Sequence, residues 1–211
     1  MTVLLRNVPN ILTALRILLT PVFIYCVLTD GWEAAALTIF VFASITDWYD
    51  GYLARKHGYS TDWGRFLDPL ADKILVVAAF STFVYLGLIK LWMVVIIVLR
   101  DSLITLLRSY AMRSGKPMMT NLFGKMKTVL QMLMIGLVLV FLSLESQARF
   151  STLVHPGIVA TVRVFSEYHV IYSGMLFVTF ITALSGIVYI YQNRDNLRNI
   201  PGFAHFRQRE L

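Results

Sequence analysis

Two pairs of aspartates stand where a chain this apolar has few other charges. Asp47 and Asp50 are three residues apart, and Asp68 and Asp72 four apart, so on helices the members of each pair share a face. The 17 residues between the pairs include Gly51, Gly58 and Gly64, which predict a tight turn that sets the two helices side by side and brings four carboxylates to one pocket. Their depth follows from counting. From Glu33 to Asp47 there are 13 intervening uncharged residues, about 20 Å of helix against the roughly 30 Å of a hydrocarbon core. The 16 uncharged residues from Ile74 to Ile89 give about 24 Å on the other helix. Both pairs are therefore expected at or just inside a membrane boundary, where ionised groups face a polar cavity and mark function. Four negative charges held together would force protonation unless cations neutralise them. Two divalent ions match the charge, oxygen-only ligation selects Mg²⁺ or Mn²⁺, and a two-ion site suits displacement at phosphorus.

The elements that must position these carboxylates are membrane helices. The 211 residues are 57% hydrophobic and 15% charged, against about 45–50% and 25% in soluble domains. Six predominantly apolar runs, about 11–29, 34–54, 70–89, 91–113, 126–145 and 169–192, are each long enough to span a bilayer. The predicted fold class is all-α: a single polytopic domain over 1–211, six transmembrane helices, and a polar cavity open to the cytoplasm. With the N-terminus inside, 16 of the 19 Lys and Arg residues fall on the cytoplasmic side and only Lys90, Arg149 and Arg163 on the other. Both termini and the loops 55–69 and 114–125 are then cytoplasmic. Residues 146–168 read as an interfacial helix or loop, and the tail, with Arg194, Arg198, Arg207 and Arg209, suits an anionic leaflet. The net charge of +7 forms no continuous stripe, which argues against nucleic acid and for anionic headgroups or phosphorylated small molecules. The single cysteine, Cys26, excludes an intramolecular disulfide and any Cys-rich metal centre.

The run Asp47-x-x-Asp50-Gly51-x-x-Ala54-Arg55, eight residues, then Gly64-x-x-x-Asp68-x-x-x-Asp72 resembles the complete signature of the CDP-alcohol phosphatidyltransferases. The resemblance implies a six-span membrane fold and a homodimer in the bacterial cytoplasmic membrane. It also implies a reaction in which an alcohol attacks the phosphorus joined to diacylglycerol in CDP-diacylglycerol, and CMP leaves. By position, Asp47, Asp50, Asp68 and Asp72 resemble ligands of two Mg²⁺ or Mn²⁺ ions. Asp72 also resembles the general base that deprotonates the attacking hydroxyl. Gly51, Arg55, Thr61 and Gly64 resemble nucleotide-binding positions, and Thr13 in Asn10-x-Leu12-Thr13-x-x-Arg16 lies in a segment that resembles the one near the lipid substrate.

The acceptor is read outside the signature. Leu99-Arg100-Asp101, Arg108 and Gly124-Lys125-x-Lys127-Thr128-x-x-Gln131 resemble later motifs of the family's phosphatidylglycerophosphate synthases. The implied acceptor is sn-glycerol 3-phosphate, with Arg100, Arg108, Lys125 and Lys127 as its cations. Plainer roles stay open: Lys125 and Lys127 also fit positive-inside anchors, Arg108 fits a snorkelling side chain, and Arg100, about 15 Å from Lys90 along its helix, fits a structural partner facing the bundle interior. Asp101 departs from the Glu more usual in that group, and an Arg-Asp pair also resembles the cardiolipin synthases, whose acceptor is phosphatidylglycerol. From a different class, a divalent-cation transporter would use the same carboxylates but needs a second acidic layer. Phe40, Val41, Phe42, Val76, Val77 and Phe80 offer none.

Overall fold

A computed structural model describes the backbone of residues 2–57, 62–113, 122–150 and 155–194, and the side chains of 14–46, 73–112, 124, 126–150 and 155–194. Among the described residues it is all helical: α1 (Thr2–Leu28), α2 (Glu33–His57), α3 (Asp62–Tyr85), α4 (Leu91–Arg113), α5 (Leu122–Phe150), α6 (Pro156–Glu167) and α7 (Val170–Gln192). Six helices overlap the six apolar runs; α6 occupies the segment read as an interfacial helix or loop. The stretch Met126–Phe150 and α7 are long and apolar enough to cross a membrane, and shorter apolar stretches lie at Ala14–Leu28, Glu33–Thr46 and Lys73–Tyr85. The chain divides into two compact units, Met1–Ile89 with Met132–Tyr172, and Lys90–Gln131 with Ser173–Leu211.

In the first unit α1 packs on both α2 and α3. Phe23 of α1 meets Phe40 of α2 with ring centroids 6.4 Å apart. Ala36, Ala43 and Ala79 are buried beside Cys26, Leu75, Phe80 and Phe83, and small residues of this kind let membrane helices approach closely. The α1–α2 connection is a four-residue turn closed by Trp32 N–H donating to Thr29 C=O at 3.1 Å. Gly31 supplies the positive φ, +84°, that a type II turn requires at that position.

Helix α3 ends earlier than the hydropathy predicts. Leu86, Leu88 and Ile89 extend the apolar run, yet Gly87 adopts φ +75° and closes the helix. Leu88 N–H donates to Phe83 C=O and Gly87 N–H to Val84 C=O, both at 3.0 Å, the paired bonds of a Schellman motif. Helix α6 starts at Pro156, with Gly157 N–H donating to His155 Nδ1 at 3.2 Å. It has no buried residue and touches α5 by stacking Phe165 on Phe141 at 5.6 Å.

In the second unit Ile104, Leu107 and Ala111 of α4 pack with Tyr189 of α7, the i, i+3, i+7 spacing of one helical face. Large apolar side chains also point outward on α1, α2, α4, α5 and α7, among them Leu18, Ile45, Leu106, Leu133 and Ile187. A surface this apolar is unfavourable in water and is what contact with lipid requires.

Candidate active site

The backbone carries the signature on uninterrupted helix. Asp47, Asp50, Gly51 and Arg55 lie on α2, and Gly64, Asp68 and Asp72 on α3. The register of each aspartate pair is therefore helical, as its spacing predicts. Thr13 is on α1, and Thr61 lies outside the described residues, as do the side chains of all these positions. The expected role of the glycines needs correction: Gly51 and Gly64 are inside helices rather than in a turn, and Gly58 is outside the described residues. The loop expected over 55–69 shrinks accordingly. Five Cα steps join His57 to Asp62, which limits the separation of the two helix ends to about 19 Å. Asp50 is about 10 Å back from one end and Asp68 about 9 Å in from the other.

One residue of this region gains weight from its surroundings. Arg16, three positions after Thr13 on α1, is 3% exposed, and Thr20 Oγ1 donates to its carbonyl at 2.9 Å. A guanidinium so withdrawn from solvent needs anionic or polar company inside the protein. The sequence marked Arg16 only as a basic residue within a resembling motif; its position inside an apolar run was the available signal.

The second unit builds a polar cluster on three helices. On α4, Arg100 Nη1 donates to Asp101 Oδ1 at 3.1 Å; on α5, Lys127 Nζ donates to the same oxygen. The three side chains are 10%, 16% and 11% exposed, so two cations share one carboxylate largely away from solvent. Gln131, one turn after Lys127, is buried with Nε2 lacking a hydrogen-bond partner among the described residues, and so is Thr182 Oγ1 on α7. The stem of Arg100 crosses α7 at Gly186, where an added Cβ would lie 2.9 Å from Arg100 Cγ. Of the expected acceptor cations, the fold thus brings Arg100 and Lys127 together. Arg108 is exposed, and the Lys125 side chain lies outside the described residues. Spacing gave no sign that Asp101 joins Arg100 to a lysine 26 positions away.

The family model described as CDP-alcohol phosphatidyltransferase matches residues 6–166, a span that holds both aspartate pairs and the α4–α5 cations. The chain belongs to this family. It is 38% identical over 147 residues to the CDP-diacylglycerol–glycerol-3-phosphate 3-phosphatidyltransferase of Bacillus subtilis (strain 168), covering 63% of this chain and 76% of that protein. Over 144 residues it is 38% identical to a probable phosphatidylglycerophosphate synthase of Mycobacterium tuberculosis (strain CDC 1551 / Oshkosh), covering 66% of this chain and 68% of the relative. The Escherichia coli (strain K12) CDP-diacylglycerol–glycerol-3-phosphate 3-phosphatidyltransferase is 38% identical over 135 residues, 60% and 72% of the two chains.

As a CDP-alcohol phosphatidyltransferase the chain is a membrane-bound transferase of phospholipid biosynthesis. The family generally uses divalent metal ions. Four aspartates in two helical pairs are an all-oxygen donor set, which fits hard cations and not thiophilic ones.

Proposed function

We propose that the chain transfers the phosphatidyl group of CDP-diacylglycerol to sn-glycerol 3-phosphate, releasing CMP, at the cytoplasmic face of a bacterial membrane. The observation that carries this reading is the intact signature on two continuous helices, α2 and α3, in a chain whose relatives bear the name of that reaction. Six helices, α1 to α5 and α7, span the bilayer in this reading, with both termini inside, and the enzyme works as a homodimer.

Each proposed step uses a named group. Asp72 takes the proton of the attacking glycerol hydroxyl. A bond forms from that oxygen to the phosphorus bearing diacylglycerol, and the bond from this phosphorus to the CMP oxygen breaks. Asp47, Asp50 and Asp68, with Asp72, hold two divalent ions, Mg²⁺ or Mn²⁺. When bound, these ions supply the positive charge that offsets the carboxylates and the diphosphate. Gly51 and Gly64 let backbone approach the nucleotide, Arg55 pairs with phosphate oxygens, and Thr13 and Thr61 complete the CDP-lipid site. Arg100 and Lys127, with Arg108 and Lys125, hold the phosphomonoester of the acceptor. Two cations held together largely away from solvent, Arg100 and Lys127, support this assignment.

The test is an acceptor panel. Purified protein in liposomes with CDP-diacylglycerol should release CMP and form phosphatidylglycerophosphate when given glycerol 3-phosphate. Product from phosphatidylglycerol alone would replace this reading with a cardiolipin synthase. Orientation is tested by labelling a cysteine at position 57 in a Cys26→Ser background. Reaction with a reagent confined to the cytoplasmic side is expected, and reaction only from the other side would reverse the topology.

A further inference from the structure

The polar cluster of the second unit keeps several groups open. Arg100 Nε, Gln131 Nε2 and Thr182 Oγ1 are buried and have no hydrogen-bond partner among the described residues. Gln131 is 3% exposed and Thr182 0%, so solvent does not complete them. A buried polar group left unpaired is destabilising, which points to a group that arrives from outside.

Register places Gln131 and Thr182 in one layer. Arg100 meets Gly186, and Ile104, Leu107 and Ala111, further along α4, pack with Tyr189, further along α7, so these two helices run the same way. Thr182 precedes Gly186 by one turn on the same face and is therefore level with the turn of α4 before Arg100. Gln131 follows Lys127 by one turn on α5. With α5 antiparallel to α4, as in the topology proposed above, it stands at that level too. On α4 this turn carries Ile97, which is buried and has no side-chain donor or acceptor to offer. One turn further toward the starts of α4 and α7 come Met93 and Val178, both buried and apolar. The polar layer stops at Gln131 and Thr182, which form a floor beneath the Arg100–Asp101–Lys127 cluster.

The floor differs in chemistry from the cluster. Arg100 and Lys127 bring the charge that a phosphomonoester needs, whereas a carboxamide and a hydroxyl bring none. Their counterpart is a group that accepts from Gln131 Nε2 and donates to Thr182 Oγ1, and a hydroxyl does both. Thr182 also lies beyond residues 6–166, the span by which the family is recognised. We propose that Gln131 and Thr182 hold the secondary hydroxyl of sn-glycerol 3-phosphate, the one that does not react, and so select a glycerol phosphate over an alcohol phosphate lacking that group. With the secondary hydroxyl engaged, the primary one is left to attack. The inference rests on the acceptor proposed above and adds the residues that read its carbon skeleton.

The test compares glycerol 3-phosphate with 3-hydroxypropyl phosphate, which lacks only the secondary hydroxyl, as acceptors for the full chain in liposomes with CDP-diacylglycerol. CMP release is measured. The wild type is expected to favour glycerol 3-phosphate about a hundredfold in kcat/KM, because the analogue leaves both groups unpaired. Gln131→Met keeps the side-chain length and removes the donor. It should cut this preference about tenfold by lowering kcat/KM for glycerol 3-phosphate alone, and Thr182→Val should cut it about twofold. Should Gln131→Met fail to fold, Thr182→Val carries the test. Equal use of the two acceptors by the wild type, or an unchanged preference in every variant that folds, would overturn the inference and leave the floor to an ordered water or to packing. A parallel fall with both acceptors in Gln131→Met would also overturn it, since the residue would then serve the shared phosphate or the fold. A wild type that uses neither acceptor would overturn the proposed acceptor and this inference with it, an outcome distinct from equal use of both.

Discussion

The two charged regions of the molecule solve opposite problems. In the proposed reading, the four aspartates carried on α2 and α3 hold their charge with cations taken from outside. The α4–α5 cluster brings cations of its own: Arg100 and Lys127 share the carboxylate of Asp101. A set of carboxylates suits a substrate that arrives with metal ions, and a set built on two cations suits a substrate that arrives as a free anion. The contrast divides the labour of the proposed reaction, with the diphosphate on one set of residues and the acceptor phosphate on the other.

That division is broken most severely on the acidic side. Asp72→Asn should lower kcat by about 10²–10⁴-fold, the usual contribution of a general base, with a smaller change in metal dependence than at the other three aspartates. Asp47→Asn, Asp50→Asn and Asp68→Asn should lower turnover and raise the divalent-ion concentration needed for half-maximal activity; a metal titration of each variant separates the two behaviours. Near wild-type turnover in Asp72→Asn at neutral pH would remove the base from this residue.

The basic side should give a smaller and more selective effect. Lys127→Gln should raise KM for glycerol 3-phosphate while leaving KM for CDP-diacylglycerol nearly unchanged, a loss of about tenfold to a hundredfold in kcat/KM, or ~1.5–3 kcal/mol. Equal effects on both substrates would merge the two regions into one site. Smaller again is Gly186→Ala. A methyl group there meets the stem of Arg100 at 2.9 Å, and overpacking of this kind costs about 1–3 kcal/mol. A lowered melting temperature and a severalfold rise in acceptor KM are expected together. The smallest effect belongs to Thr182→Val. The Thr182 hydroxyl is buried without a partner among the described residues, so its replacement by a methyl of similar shape should be neutral or slightly stabilising, read as an unchanged or higher melting temperature.

What the sequence disclosed and what it withheld follow the range of the interactions. The register of Asp47 with Asp50, and of Asp68 with Asp72, depends on positions within one turn, and the helices carry it as the spacing predicts. The bounds of α4 matched the expected span, which begins after Lys90 and ends at Arg113, and α7 matched to within one residue. Helix α3 was misjudged at both ends. At its start, charged and glycine-containing sequence from Asp62 onward is helical despite its polarity; at its finish, a backbone conformation at Gly87 overrides apolar side chains. Asp101 shows the longer-range limit. Its neighbour Arg100 was visible beside it, but Lys127 belongs to another helix, and only the packing of α4 with α5 supplies that second cation.

The turn after α3 has a further consequence, for the lengths the chain can accept. Leu86, Gly87 and Leu88 each direct their N–H back into α3, to Thr82 at 2.9 Å, Val84 at 3.0 Å and Phe83 at 3.0 Å, so an irregular backbone stays satisfied where apolar surroundings would punish an open group. Loops in water absorb added or missing residues because solvent can complete whatever bonds are lost. Here a register shift between Tyr85 and Leu88 would strand a donor and move the left-handed position off glycine. The first three residues of the five-residue connection, 86–88, are thereby fixed in length as firmly as the helix they close.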